Sequence, residues 1–153
     1  MKTHIERLPE CYSSIDEGLV LLPQDWGQKG WQEMTAKRML VIDDEIRIRE
    51  MYEYIFDSIG YEVLTAGNAM DAHEILVRNK FDIVLLDINM AEVDGATLFE
   101  VIRAFHKNIK VVVSSVYSIN EQKGRIKDAD GYFDKSDDTD VLTSLISSLL
   151  NKF

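Results

Sequence analysis

Phe81-Asp82-Ile83-Val84-Leu85-Leu86-Asp87 is an almost unbroken apolar run closed by an acid. Four successive aliphatic side chains leave no polar face, so residues 81–86 predict a strand covered on both sides. Met39-Leu40-Val41-Ile42 upstream has the same character and ends in Asp43-Asp44-Glu45. Val111-Val112-Val113 downstream repeats it and ends in Ser114-Ser115. Tyr61 to Ala66 predicts a further strand, and Tyr132 with Phe133 a short fifth.

Helical spacing fills the gaps between these runs. Ile48, Met51, Tyr52, Ile55, Phe56 and Ile59 share one helix face, and Gly60 stands where a C-cap is expected. Asn68 is the predicted N-cap of a helix carrying Ala69, Ala72, Ile75 and Leu76. Leu98, Val101, Ile102 and Phe105 mark a third helix. Val141, Leu142, Leu145, Ile146, Leu149 and Leu150 mark the last. Strands and helices in alternation predict an α/β fold, a doubly wound five-stranded parallel sheet with helices on both faces. In such sheets ligands bind beyond the carboxyl ends of the strands.

Composition narrows the function classes. The chain has 153 residues, 46% hydrophobic and 29% charged, enough for one domain with a packed core. No apolar run approaches the roughly 20 residues of a membrane span. The N-terminus lacks the roughly ten-residue apolar stretch of a signal peptide. Cys11 is the single cysteine, so no internal disulfide is expected and a cytoplasmic location is. A formal net charge of −10 argues against direct binding of nucleic acid. Residues 1–36, with Pro9, Pro23, Trp26 and Trp31, lack long periodicity and are assigned as an extension ahead of a domain at 37–153. Within the extension, Gly18-Leu19-Val20-Leu21-Leu22 suits either a short strand or a docking patch.

The chemistry gathers at the predicted strand ends. Asp43 and Asp44 end the first strand and Asp87 the third, so three carboxylates are expected to meet. Clustered carboxylates repel, and a hard divalent cation such as Mg²⁺ relieves that cost while keeping waters and phosphate oxygens as further ligands. Ser115 adds a hydroxyl at the end of the fourth strand, and Lys135 a cation after the fifth. A carboxylate nucleophile, metal, hydroxyl and ammonium are the parts that phosphoryl transfer to an aspartate requires. Each residue taken singly has a blander role as strand terminator, cap or surface group. Their joint placement is what argues for chemistry. No G-x-x-x-x-G-K-[ST] occurs, and the loop after the first strand is three acids where a phosphate cradle needs glycine. His4, His73 and His106 show no ligand spacing with one another or with Cys11.

Residues 37–153, about three quarters of the chain, resemble the receiver domain of two-component response regulators. The resemblance rests on Val41-Ile42-Asp43-Asp44-Glu45, on Asp87-Ile88-Asn89-Met90 with Val93-Asp94-Gly95, and on Gly131-Tyr132-Phe133-Asp134-Lys135. It implies a flavodoxin-like fold and a phosphoryl group accepted by Asp87 from a histidine kinase or histidine phosphotransfer protein. It implies that Asp44 and Asp87 ligate Mg²⁺ directly, Asp43 mainly through water, and Asn89 through its backbone carbonyl. Ser115 would be the switch hydroxyl, with Ser114 as the alternative, and Tyr132 the aromatic that follows it. Such a domain phosphorylates itself from the donor, is no turnover enzyme on an external substrate, and presents a switched face to a downstream protein. The sequence ends after the fifth predicted helix, so no output domain is expected. Two rivals are an aspartyl-phosphate hydrolase, which Asn89 in place of a second acid disfavours, and an unphosphorylated binding module.

Three departures from the family pattern stand out: Ala91 where proline is usual after Met90, Ser136 where proline follows the lysine, and Val116 where a small residue follows the switch hydroxyl. The stretch from Val116 to Asp130 offers only Ile119, Ile126 and Ala129 as core contacts, and Gly124 weakens a helix there by about 1 kcal/mol. Asp128 falls where glycine usually ends that helix. The segment is therefore expected to be short and frayed, and to become ordered on phosphorylation.

Overall fold

A computed structural model of the chain describes residues 12–15, 18–21 and 36–151. Cys11, Trp26, Trp31 and most of the extension lie outside those residues. The chain divides into two compact units, Met1–Thr35 and Ala36–Phe153. In the first, β1 (Tyr12–Ile15) and β2 (Gly18–Leu21) pair antiparallel, with Tyr12 opposite Leu21. Residues 18–21 thus form the short strand expected as one of the two roles, and Leu22 lies outside the described residues.

The second unit alternates as the apolar pattern predicts: β3 (Arg38–Ile42), α1 (Ile46–Ser58), β4 (Glu62–Ala66), α2 (Ala69–Arg78), β5 (Ile83–Leu86), α3 (Gly95–Phe105), β6 (Lys110–Ser115), α4 (Ile119–Arg125), β7 (Gly131–Asp134) and α5 (Thr139–Leu150). The five strands are parallel in the order β4-β3-β5-β6-β7. The chain steps from β3 outward to β4, then returns to the other side of β3 as β5. That reversal opens a crevice past the ends of β3 and β5, where ligands of such sheets bind.

Each sheet face has its own core. Leu40, Ile42, Val84, Leu86, Val111 and Val113 pack with Ala72 and Leu76 of α2 and Leu98, Phe99 and Ile102 of α3. Met39, Val41, Ile83, Leu85, Val112 and Phe133 pack with Tyr52 and Phe56 of α1 and Leu142 and Ile146 of α5. Every residue of β5 is buried, as its unbroken apolar run requires.

Local signals set the helix ends. Asn68 caps α2 by accepting from the Asp71 N–H at 2.8 Å. Gly60 follows α1 with φ +95°, the left-handed turn that favours glycine. Asp128 also has φ +62°, so an aspartate does occupy the glycine position after α4. Apolar periodicity overran at the helix margins, because Ile59, Phe105 and Val141 are 52%, 78% and 52% exposed. Ile59 is already the C-cap of α1, and Phe105 is the last residue of α3.

The largest difference from expectation is α4. It has seven residues, short as expected, but it is well tied down. Gln122 is fully buried and its amide donates to the Tyr117 carbonyl at 2.7 Å and the Phe133 carbonyl at 2.9 Å. The Ser118 N–H and hydroxyl both donate to Glu121, at 3.0 and 2.6 Å, which holds the Glu121 carboxyl below its usual range. Ile126 is 2% exposed, and its carbonyl accepts from the Tyr132 hydroxyl at 2.8 Å. Apolar counting missed this because the principal anchor is an amide.

Candidate functional site

The acids meet where the topology brings β3 and β5 side by side. Carboxylate oxygens of Asp43, Asp44 and Asp87 lie within 4.8 Å of one another. Asp43 and Asp87 are 2% and 4% exposed, whereas Asp44 faces solvent. Lys135 follows β7 at the far edge of the sheet and reaches back across it. Its ammonium sits 2.6 Å from Asp43 Oδ2 and 3.3 Å from Asp87 Oδ2. Three carboxylates against one ammonium leave two negative charges, the charge that one divalent cation balances. The cluster is thus less exposed to self-repulsion than the acids alone suggested, because Lys135 already offsets part of it.

Burial pushes the Asp87 carboxyl up, further helped by Asp43, while Lys135 and the Asn89 N–H pull it down; the net direction is upward. Burial pulls the Lys135 ammonium down, but its pairing with Asp43 and then Asp87 outweighs this and raises it. The lysine therefore stays charged beside both acids.

The surrounding loops fix these groups. Asp43 Oδ1 accepts from the Glu45 N–H at 3.0 Å, and Asp87 Oδ1 from the Asn89 N–H at 3.1 Å. Asn89 itself is exposed. Gly95 opens α3 directly against β5, its N–H donating to the Ile88 carbonyl at 3.0 Å. A β-carbon there would collide with the Asp87 carbonyl oxygen and come within 2.7 Å of Ile88 Cα. Ser115 ends β6, the neighbour of β5; it is fully buried and its hydroxyl accepts from the Tyr117 N–H at 3.4 Å. Ser114 points to the opposite sheet face, where its hydroxyl is 3.3 Å from that of Tyr52. Ser115 therefore shares a face with Tyr132, which pairs with Val113. Tyr132 accepts from the Ala129 N–H at 3.2 Å, gathering the loop after α4 around its hydroxyl.

The loop after Lys135 is closed without proline. The Ser136 N–H and hydroxyl donate to Asp134 Oδ1 at 2.9 and 2.7 Å, and these bonds hold the Asp134 carboxyl down. Arg49 was not singled out by sequence reasoning, yet its guanidinium donates to the Asp43 and Asp44 carbonyls at 2.8 and 3.2 Å. Gly67 leaves room for it, with Arg49 Nη1 3.0 Å from where a β-carbon would stand. Its only sequence signal was a cation one turn into α1 after the acidic pair. An open pocket of about 180 Å³ adjoins Asp44, lined also by Asn68, Met90, Glu92 and Val93.

The donor set is all hard oxygen, with one exposed carboxylate beside an open pocket, which suits Mg²⁺ with retained waters. Asp43→Ala with Asp44→Ala is expected to weaken Mg²⁺ binding beyond detection in calorimetry, while the circular dichroism of the folded chain is kept. Unchanged Mg²⁺ affinity would remove these acids from the site.

A sequence model described as the response regulator receiver domain matches residues 39–147. Sporulation initiation phosphotransferase F of Bacillus subtilis is 29% identical over 84 residues, covering 55% of this chain and 68% of its own length. The probable transcriptional regulator ycf29 of Porphyra purpurea is 33% identical over 121 residues, 76% of this chain and 57% of its own. The chain thus spans only a little over half of this second relative. Among solved structures, the response regulator TrrA of Thermotoga maritima in complex with Mg²⁺-BeF is 34% identical, with a TM-score of 0.69 over 74% of this chain and 99% of that one. Chemotaxis protein CheY4 of Vibrio cholerae is 25% identical, with a TM-score of 0.71 over 76% of this chain and all of that one.

Proposed function

This chain belongs to the response regulator receiver domain family, and from that premise we propose that it accepts a phosphoryl group on Asp87 in a two-component relay. The observation that carries the proposal is the Lys135 ammonium bridging Asp43 and Asp87 among three converging carboxylates. The donor is a phosphohistidine on a histidine kinase or phosphotransfer protein. A carboxylate oxygen of Asp87 attacks phosphorus, the P–N bond breaks, and the imidazole nitrogen keeps the electron pair and takes a proton from solvent. Lys135 pairs with a phosphoryl oxygen and Ser115 donates a hydrogen bond to another. Asp44, Asp87 and the Asn89 carbonyl would hold the Mg²⁺ directly, and Asp43 mainly through water. Bound there, the metal supplies positive charge to the phosphoryl oxygens.

Ser115 and Tyr132 form the switch, and the face carrying α4 is read by a downstream protein. Residues 37–153 make up the receiver and residues 1–36 an extension whose removal leaves Asp87 competent. With its net charge of −10, the chain acts on protein partners in the cytoplasm and not on nucleic acid directly. It takes one phosphoryl group per cycle and is no turnover enzyme on an outside substrate. Among the described residues no helix is long and apolar enough to cross a membrane.

Intact-mass measurement after incubation with Mg²⁺ and acetyl phosphate tests the proposal. The full chain is expected to gain one phosphoryl group, and to gain none when EDTA replaces the metal. No mass gain under saturating donor and Mg²⁺ would refute it.

A further inference from the structure

Below the acid cluster lies a pair of buried hydroxyls that the transfer, as described, leaves unused. Tyr52 and Ser114 are 2% and 1% exposed, and their oxygens are 3.3 Å apart. Their place in the sheet is specific. Val41, Leu85, Val112 and Phe133 lie on the face that packs against Tyr52. Two residues further along each strand, on the same face by alternation, stand Asp43, Asp87, Ser114 and Lys135. Leu86 pairs with Val113, so Ser114 is level with Asp87 across the β5–β6 boundary.

Lys135 starts from the end of the edge strand and must cross β6 to reach β5 and β3. What β6 presents on that face is the small Ser114, backed by the phenol of Tyr52. Burial pushes the Tyr52 hydroxyl up, the Ser114 bond pulls it down, and the charges of Lys135, Asp43 and Asp87 all act on it. The hydroxyl pair therefore lies on the sheet face shared with the lysine and both acids it bridges, with Ser114 level with Asp87.

Resting on Asp87 as the phosphoacceptor, we propose that Tyr52 and Ser114 are positioning residues that hold Lys135 aimed at Asp87 during phosphoryl transfer. The Lys135 side chain is only 9% exposed, so its ammonium relies chiefly on protein groups for partners. In the resting protein Asp43 and Asp87 do that work. When a phosphoryl group arrives, the ammonium must exchange part of its contact with Asp43 for a phosphoryl oxygen. Two hydroxyl dipoles fixed on the same sheet face supply polar surroundings that need no rearrangement at that moment. An apolar floor would instead favour the closed ion pair with Asp43 and slow the exchange.

Tyr52→Phe removes one oxygen and keeps the ring, and Ser114→Ala removes the other. Both variants and their combination are labelled as full chains with acetyl phosphate at saturating Mg²⁺, with Mg²⁺ affinity and melting temperature measured alongside. Each single variant is expected to label about three- to tenfold more slowly, the scale of one hydrogen bond. Mg²⁺ affinity should stay within about twofold of the parent, since no ligand is touched. The double variant should lose no more than either single one, because the pair acts as a unit. Parent-like labelling rates in both single variants, whatever their melting temperatures, would overturn this role while leaving Asp87 as the phosphoacceptor. A parent chain that takes no label would overturn both.

Discussion

Asp87→Asn is expected to take phosphoryl labelling to background under donor and Mg²⁺ concentrations chosen to saturate the parent chain. The amide keeps the size and the hydrogen-bond acceptor for Asn89, so the loop geometry survives. What it loses is the anionic oxygen proposed to attack phosphorus, and a neutral amide is no substitute nucleophile. The variant also carries a pH signature in metal-free buffer. Burial raises the Asp87 carboxyl, so the folded chain binds that proton more readily than the unfolded one. Between the ordinary carboxylate range and the raised value, the parent loses stability as pH rises, because the folded state must give up a proton it holds more tightly. Asparagine has no proton to give up. In urea titrations with EDTA at neutral pH, Asp87→Asn is therefore expected to be more stable than the parent. That advantage should disappear below the ordinary carboxylate range. A variant that labels like the parent would mean that another residue is the acceptor.

Gly95→Ala is the second large effect, and it begins as a packing fault. The added methyl has no space, because the Asp87 carbonyl oxygen occupies it and Ile88 Cα lies 2.7 Å away. Both obstacles are backbone, so neither yields by a change of rotamer. Overpacking of this kind costs about 3 kcal/mol. For a domain of this size that lowers the melting temperature by roughly 10–15 °C. The strain falls on the residue proposed as the nucleophile, so relief comes by moving Asp87 relative to Asp43 and Lys135. A displacement near 1 Å slows labelling by about a hundredfold even where the chain remains folded. Calorimetry and mass labelling on one sample separate the two losses. Parent-like melting and labelling would show that α3 shifts freely away from β5.

The alternation of strand and helix was legible because it depends on burial, and burial writes itself into apolar spacing. The four buried residues of β5 and the two-sided core follow directly from Ile83-Val84-Leu85-Leu86. Asp43, Asp44, Asp87 and Lys135 were legible for a different reason. Topology alone sends strand ends to one edge, so position along the chain implies proximity. Arg49, Gln122 and the Tyr52–Ser114 pair were not legible in this way. Each makes directional bonds to backbone carbonyls or to another hydroxyl. Polar side chains with such targets look, in sequence, like any solvated residue. Tyr52 even counted as an ordinary member of an apolar helix face, which hid the one polar atom it brings under the site.

The amide clasp of α4 bears on how readily this surface can change over generations. Of the seven residues from Ile119 to Arg125, Gln122 alone is fully buried and five are exposed. Its two bonds run to main-chain carbonyls, which every sequence possesses, so the clasp demands nothing of the side chains around it. Asn120 and Gly124 can change without disturbing either core, whereas Lys123 lies over the Tyr132 ring and Arg125 over the Tyr117 ring. A helix held by main-chain bonds and a capping box, with most of its side chains exposed, leaves Asn120 and Gly124 open to substitution while the groups across the sheet stay as they are.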